Sequence, residues 1–247
     1  MKQDENGWYV LERPKKPFKT ILNYLRSGKF YLPSSEEDRV LLQKEVEYWG
    51  MQASYERDAG ASGFFEGTCL VDLHQQVQLN KWFGKETQKW KLLYRASRDG
   101  WESSNFHTQV DRNGATLTIV LANGYLFGGY TPIEWTSRGQ YAWDPNSWIF
   151  SLTNPSGLSV KMLNEPMKGC KYSIYDHKDY GPTFGGGYDI AIQNCSNKSN
   201  QNYSNLGYNY IVPGKVMGTE EAKQFLTGSY YFNVTEIEVF KQHVEDS

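Results

Sequence analysis

The dipeptide Asn123-Gly124 stands between two apolar runs, Thr116–Ala122 and Tyr125–Tyr130. It constrains the fold more than any other feature of the chain. Asn-Gly accepts the left-handed backbone of a two-residue hairpin turn, so the flanking runs must pair as antiparallel strands. Leu117, Ile119 and Leu121 point to one side and Val120 to the other, opposite Phe127. With apolar groups on both faces, such a strand belongs inside a sandwich rather than on a half-wet sheet. Further strand candidates follow at Trp148–Leu152, Lys171–Tyr175, Tyr188–Ile192 and Tyr231–Phe240. Their Gly, Asn and Pro punctuation predicts an antiparallel two-sheet domain, mainly β in an α+β chain.

The first 52 residues carry a different period. Asn6-Gly7 precedes a strand-like run, Trp8–Leu11; Pro17 then suits a first helical turn, and Phe18, Ile21, Leu22 and Leu25 recur at helical spacing before Gly28. Ser34 and Glu37 have capping-box spacing for a second helix, with Val40, Leu41, Val46 and Trp49 expected toward a core. About 50 residues bury too little surface to hold such elements unaided, so this unit is expected to need a partner surface. Residues 53–69 read as a linker around Ala59–Gly63, followed by a helix that uses Leu70, Leu73, Val77 and Trp82.

Composition narrows the function. Lys and Arg number 26 against 28 Asp and Glu, a net charge of −2 that offers no surface-wide field for a polyanion. No apolar run approaches the roughly 18 residues of a membrane helix, and none follows Met1–Asn6 as in a signal peptide, so a cytoplasmic protein with no membrane insertion is expected. The three cysteines, Cys69, Cys170 and Cys195, are too scattered for a disulfide framework and read as reduced thiols. In that compartment the Asn-x-Ser/Thr sequences at Asn194, Asn197, Asn202 and Asn233 carry no glycans, and the polar run 193–205 reads as a surface loop.

Few motifs point to chemistry. Gly181–Gly187 lacks the Lys-Ser/Thr and the helix of a phosphate loop and reads as a tight turn or bulge, as does Gly128-Gly129. The four histidines show no zinc spacing, Asp176-His177-Lys178-Asp179 reads as a solvated loop, and no metal or cofactor is expected. No nucleophile elbow is present. Glu236 and Glu238 lie two apart on one strand face with Val234 and Phe240; crowding there could tune one carboxyl for acid/base work, while the plainer expectation is a solvent-facing edge. Arg95, Arg98 and Asp99 cluster after the strand Leu92–Tyr94, where Asp99-Gly100 is expected to form a turn.

The run Trp90–Trp101, then Asn105–His107, Ala115–Ile119, Gly124–Tyr130, Trp135, Phe150–Leu152, Gly181–Gly187 with Asp189, Phe225–Gly228 and Glu236–Phe240 resembles the TLDc domain family over roughly residues 70–242. That resemblance implies a two-sheet antiparallel β-sandwich with flanking helices, a tail at 243–247, and a non-enzymatic protein-binding role in oxidative-stress resistance or regulation of the vacuolar proton pump. Its recurring acids make Asp99, Glu236 and Glu238 the catalytic candidates, none with an established activity. Asp4–Pro14, Phe18–Gly28 and Glu45–Met51 resemble the latter half of a BTB/POZ domain of the potassium-channel tetramerisation type, residues 1–52 here. This implies a homo-oligomer or adaptor scaffold as the alternative, and an enzyme with a carboxylate site at Glu236/Glu238 as the second.

Overall fold

A computed structural model describes residues 2–3, 9–10, 14–28, 30, 32–33, 35–51, 63–165, 171–216 and 218–243. The chain divides into two compact units, the first made of Met1–Phe64 with Val71–Phe83, the second of Phe65–Leu70 with Gly84–Ser247.

In the first unit, β1 (Lys2–Gln3) pairs antiparallel with β2 (Tyr9–Val10). The expected Asn6-Gly7 turn and the flanking Trp8 and Leu11 lie outside the described residues. Helix α1 (Lys15–Ser27) carries Pro17 in its first turn and ends on Gly28 at φ 70°, the left-handed cap that glycine adopts without a Cβ clash. Helix α2 (Glu36–Tyr48) starts one residue later than the spacing suggested: the hydroxyl of Ser35 caps the Asp38 amide at 3.1 Å, and Ser34 is outside the described residues. The buried stripe is also rotated from the expected one. Ile21, Phe30, Leu32, Leu42 and Val46 form the core, with Phe18, Tyr24, Trp49 and Met51 packed around it. Of the residues expected to face it, Phe18, Ile21, Val46 and Trp49 do so, whereas Leu22, Leu25, Val40 and Leu41 are exposed. Helix α3 (Leu73–Phe83) is capped reciprocally by Asp72 and Gln75, and Leu70 precedes it.

The second unit is a β-sandwich. One layer has seven strands: β3 (Phe65–Glu66), β4 (Lys89–Arg95), β5 (Thr116–Ala122), β6 (Tyr125–Thr131), β8 (Trp148–Ser151), β9 (Val160–Leu163) and β14 (Val234–His243), in the order β3-β4-β14-β5-β6-β8-β9. The Asn123-Gly124 hairpin forms in the expected register, with Val120 opposite Phe127. Gly128 and Gly129 sit inside β6 rather than in a turn. A Cβ on Gly128 would lie 1.9 Å from the Thr118 carbonyl oxygen, and one on Gly129 would enter the Phe184 ring, so both are close-approach positions. The other layer pairs β7 (Gln140–Ala142) with β10 (Ile174–Asp176), and β11 (Ile190–Ala191) with β12 (Asn202–Ser204) and β13 (Tyr231–Phe232).

Between the layers, Val120, Phe127, Ile149 and Val239 meet Ile174, Ile190 and Phe232 in one continuous core. Two helices follow β4: α4 (Ala96–Asp99), where a turn alone was expected, and α5 (Ser103–Val110), which inserts Phe106 and Val110. The Trp135 indole is fully buried, edge-on to Phe106, and donates to Thr116 Oγ1 at 3.0 Å, which satisfies its one polar atom. A last short helix, α6 (Glu220–Lys223), is capped by the Thr219 hydroxyl. The polar run 193–205 is only partly a loop, since Asn202–Ser204 is strand β12 and the Asn202 amide is buried, donating to the carbonyls of Ser196, Ser199 and Phe232. No helix among the described residues is long and apolar enough to cross a membrane.

Candidate functional site

Strand β14 is interior to its sheet, hydrogen-bonded to β4 on one side and β5 on the other, so the solvent-facing edge expected for Glu236 and Glu238 does not exist. Two register shifts, at Val234/Glu236 and Val239/Phe240, decouple the strand from simple alternation. Val234, Ile237 and Val239 join the core between the layers, so Val234 does not share a face with the glutamates. Glu238 is 0% exposed and Glu236 8%.

An unpaired carboxylate at such depth costs several kcal/mol, roughly, and each of these is fully supplied with donors. Glu238 Oε1 accepts from Arg95 Nη2 at 2.6 Å, Arg95 Nε at 2.9 Å, the Cys69 amide at 2.9 Å and Cys69 Sγ at 3.2 Å, while Oε2 accepts from Thr68 Oγ1 at 2.7 Å. Arg95 Nη2 also donates to the Gly67 carbonyl. One carboxylate thus fastens the segment after β3 to the centre of the sheet. Glu236 fastens the next one: Oε1 accepts from the amides of Ser97 at 3.1 Å and Ile237 at 3.0 Å, and the Ser97 hydroxyl donates to Oε2.

Asp99 closes α4. It accepts from the Arg95 amide at 2.9 Å and from Arg98 Nε and Nη2 at 2.7 and 2.8 Å, and the bidentate Arg98 guanidinium holds its carboxyl below the usual range. The expected Arg-Asp cluster therefore splits, with Arg95 on Glu238 and Arg98 on Asp99. Cys69 Sγ lies against Glu238, and burial together with that negative charge pushes its thiol up to about 11. Cys69 and Cys195 are free thiols, and Cys170 lies outside the described residues.

Three further buried networks escaped the sequence reading. Asp189 is wholly buried and accepts from four successive amides, Gly207, Tyr208, Asn209 and Tyr210, at 2.9 to 3.4 Å. The glycine turn makes room for it, since a Cβ on Gly185, at φ 82°, would lie 1.8 Å from Asp189 Oδ2. Burial pushes this carboxyl up to about 7 against the pull of those amides. Asp176, read as a solvated loop residue, is instead buried and held by the amides of Thr136 and Ser137, the Thr136 hydroxyl and Arg138. Its neighbour in sequence, Asp179, has a side chain 67% exposed. His107 Nδ1 meets Asp111 Oδ1 at 2.8 Å while Nε2 faces the carbonyls of His177 and Tyr180, each at 3.1 Å. Ser137 Oγ donates to the other Asp111 oxygen, so serine and histidine share one acid and do not touch in the order a nucleophilic triad requires. Among the described residues no three His, Cys, Asp or Glu side chains converge as metal ligands.

A central β14 fastened through Glu238, a glycine turn wrapped on Asp189 and a buried Trp135 are the framework into which a sequence model of the TLDc domain fits over residues 64–243. The chain belongs to the TLDc domain family. A BTB/POZ domain model matches residues 1–57, ahead of the TLDc domain. Among curated relatives, the MTOR-associated protein MEAK7 of Xenopus laevis is 30% identical over 86 residues, 34% of this chain and 19% of that protein. MEAK7 of Mus musculus is 26% identical over 96 residues, 38% of this chain and 21% of its own length. The BTB/POZ domain-containing protein KCTD18 of Bos taurus is 40% identical over 55 residues, 22% of this chain and 13% of that protein. The chain spans about a fifth or less of the relatives it matches. TLDc and BTB/POZ domains are regulatory and interaction modules, which gives this TLDc protein its class.

Proposed function

We propose that this chain is a non-enzymatic regulatory module whose TLDc sandwich docks on a protein partner in the cytoplasm, in oxidative-stress resistance or in regulation of the vacuolar proton pump. The observation that carries the reading is the way the acids are used. Glu236, Glu238 and Asp99, the catalytic candidates, each spend their oxygens on donors that hold strand to loop or helix, the pattern of a rigid scaffold rather than of a poised acid or base. Residues 70–242 are the docking domain in this reading and 1–52 a BTB-like element that brings chains together.

Pull-down with the full chain from cytosol plus membranes tests the partner: recovery of pump subunits is expected with the native protein and with Glu236→Gln, and no recovery in either assembled or disassembled pump sinks the assignment. The BTB/POZ match favours self-association as a second property, checked by light scattering. A strictly monomeric chain at about 100 μM, far above the Kd of a stable oligomer, refutes it.

A further inference from the structure

The chain holds three Asn-Gly pairs, beginning at Asn6, Asn113 and Asn123, and the last two lie among the described residues. Asn-Gly is a reactive sequence. The carboxamide carbon of an asparagine can close a five-membered ring with the next backbone nitrogen, and a following glycine, having no Cβ, leaves that nitrogen open to approach. How fast the ring closes in a folded chain depends on what is held against the two reacting ends.

Around Asn113 the fold supplies both ends. After α5 the Arg112 amide donates to the Trp135 carbonyl at 2.9 Å, which fastens the turn to the segment that carries the buried indole. The neighbour of that indole, Glu134, is thereby placed over Gly114, and its Oε1 accepts from the Gly114 amide at 3.3 Å. The sheet register brings the second group. Lys241 on β14 stands opposite Thr116, the first residue of β5, and its Nζ donates to Asn113 Oδ1 at 3.2 Å. Asn113 Nδ2 donates to the carbonyls of Gln109 and Asp111, each at 3.2 Å, so the carboxamide is fixed with its oxygen toward the lysine. A carboxylate on the nucleophile's N–H and a cation on the electrophile's oxygen are the two aids that attack on an amide needs. Asn123-Gly124 is the same dipeptide with neither. Asn123 Oδ1 accepts from the Asn233 amide at 3.2 Å and Nδ2 donates to Ser229 Oγ at 3.4 Å, and among the described residues no carboxylate accepts from the Gly124 amide.

We propose that Asn113-Gly114 is a self-modifying site that converts to aspartate and isoaspartate, with Glu134 as general base and Lys241 as the stabiliser of the oxyanion. The Gly114 nitrogen bonds to Asn113 Cγ as Glu134 takes its proton, and the carbonyl electron pair moves onto Oδ1 beside Lys241. The pair returns as the Cγ–Nδ2 bond breaks, and Nδ2 leaves as ammonia with the proton handed back through solvent. Water then opens the cyclic imide. Attack at Cγ restores the Gly114 peptide bond and yields aspartate; attack at the Asn113 main-chain carbonyl yields isoaspartate, with one extra carbon in the backbone between α5 and β5. No oxidation state changes, and either product sets a carboxylate near Lys241.

The test is incubation of the full chain at neutral pH, with both asparagines followed in the same sample by peptide mass spectrometry. Asn113 is expected to convert about tenfold faster than Asn123 in the folded chain. In guanidinium chloride, where only the shared dipeptide remains, the ratio of the two rates should fall to about one. Glu134→Gln and Lys241→Met, each with the native unfolding midpoint, are expected to slow Asn113 about tenfold and to leave Asn123 unchanged. Lys241→Gln serves if Lys241→Met does not fold. A purely structural role for either side chain predicts the opposite sign, since a loosened turn quickens ring closure. Equal rates at Asn113 and Asn123 in the folded chain overturn the proposal, as does unchanged or faster Asn113 conversion in the folded variants.

Discussion

Asp189 and Glu238 are both fully buried carboxylates in the same domain, and they are solvated in opposite ways. Glu238 rests on a counter-ion and on side chains, the Arg95 guanidinium, the Thr68 hydroxyl and the Cys69 thiol, so its charge is matched by charge. Asp189 has only dipoles, four amides of one loop and no cation, and burial prevails over them. The difference teaches what each fastens. Glu238 ties elements distant in sequence across the sheet, whereas Asp189 shapes a single loop into a turn that the glycine run can pack against.

Breaking the Asp189 network has the largest expected effect. Asp189→Ala leaves four amides without their acceptor, each costing on the order of 1 kcal/mol or more, so a loss of about 4 kcal/mol is expected in urea unfolding, enough to unfold a marginal domain. Glu238→Gln comes next, at about 3 kcal/mol, because it strands the Arg95 guanidinium beside an uncharged amide. Glu236→Gln keeps one good acceptor for Ser97 and costs about 1 kcal/mol. A reversed order of the Asp189 and Glu238 losses would show that the counter-ion, not the amide loop, is the stronger fastener.

The same contrast has a pH signature. Asp189 holds its proton in the folded chain to about pH 7 but has an ordinary carboxyl when unfolded. The folded state binds more protons in that interval, so the Asp189 contribution is complete at low pH and is lost as pH rises through about 7. Asp99, held low by Arg98, runs the other way: its contribution is present above the ordinary carboxyl range and lost in acid. From pH 5 to pH 8 the urea midpoint of native protein is expected to fall relative to that of Asp189→Asn, whose amide cannot ionise. Parallel curves would remove the titration from Asp189.

What the sequence made legible was local or periodic. Asn123-Gly124 declared its hairpin because the turn and both strands are contiguous, and Gly28 declared the end of α1 for the same reason. The glutamates of β14 looked like an edge because alternation identifies which residues share a face and says nothing about what covers it. The cover comes from Thr68–Cys69 and Ser97, more than a hundred positions away. The register shift at Val234/Glu236 then moved Val234 to the opposite face, and no residue type announces a bulge there. The amide cradle of Asp189 was equally hidden, since its donors at 207–210 act through their backbone and any sequence can supply a backbone amide. In the first unit the helices were legible and their inner faces half so: Phe18, Ile21, Val46 and Trp49 pack as expected, while Leu22, Leu25, Val40 and Leu41, equally apolar, are exposed.

Cys69 gives the smallest and most local reading of the Glu238 side of the comparison. Its thiol, pushed up to about 11, carries about one thiolate per thousand molecules at pH 8, so iodoacetamide should modify it slowly there and about tenfold faster for each added pH unit. The Glu238 charge is one cause of that shift and burial the larger one, so Glu238→Gln should quicken alkylation at pH 8 only severalfold. Mass spectrometry of the Cys69 peptide, with Cys195 as the internal reference, measures both rates in one sample. Fast alkylation of native Cys69 at pH 7 would mean that the thiol is not held against Glu238. An unchanged rate in folded Glu238→Gln would mean that desolvation alone sets it, and the side-chain clamp would then be fixed by Arg95 and Thr68 without the cysteine.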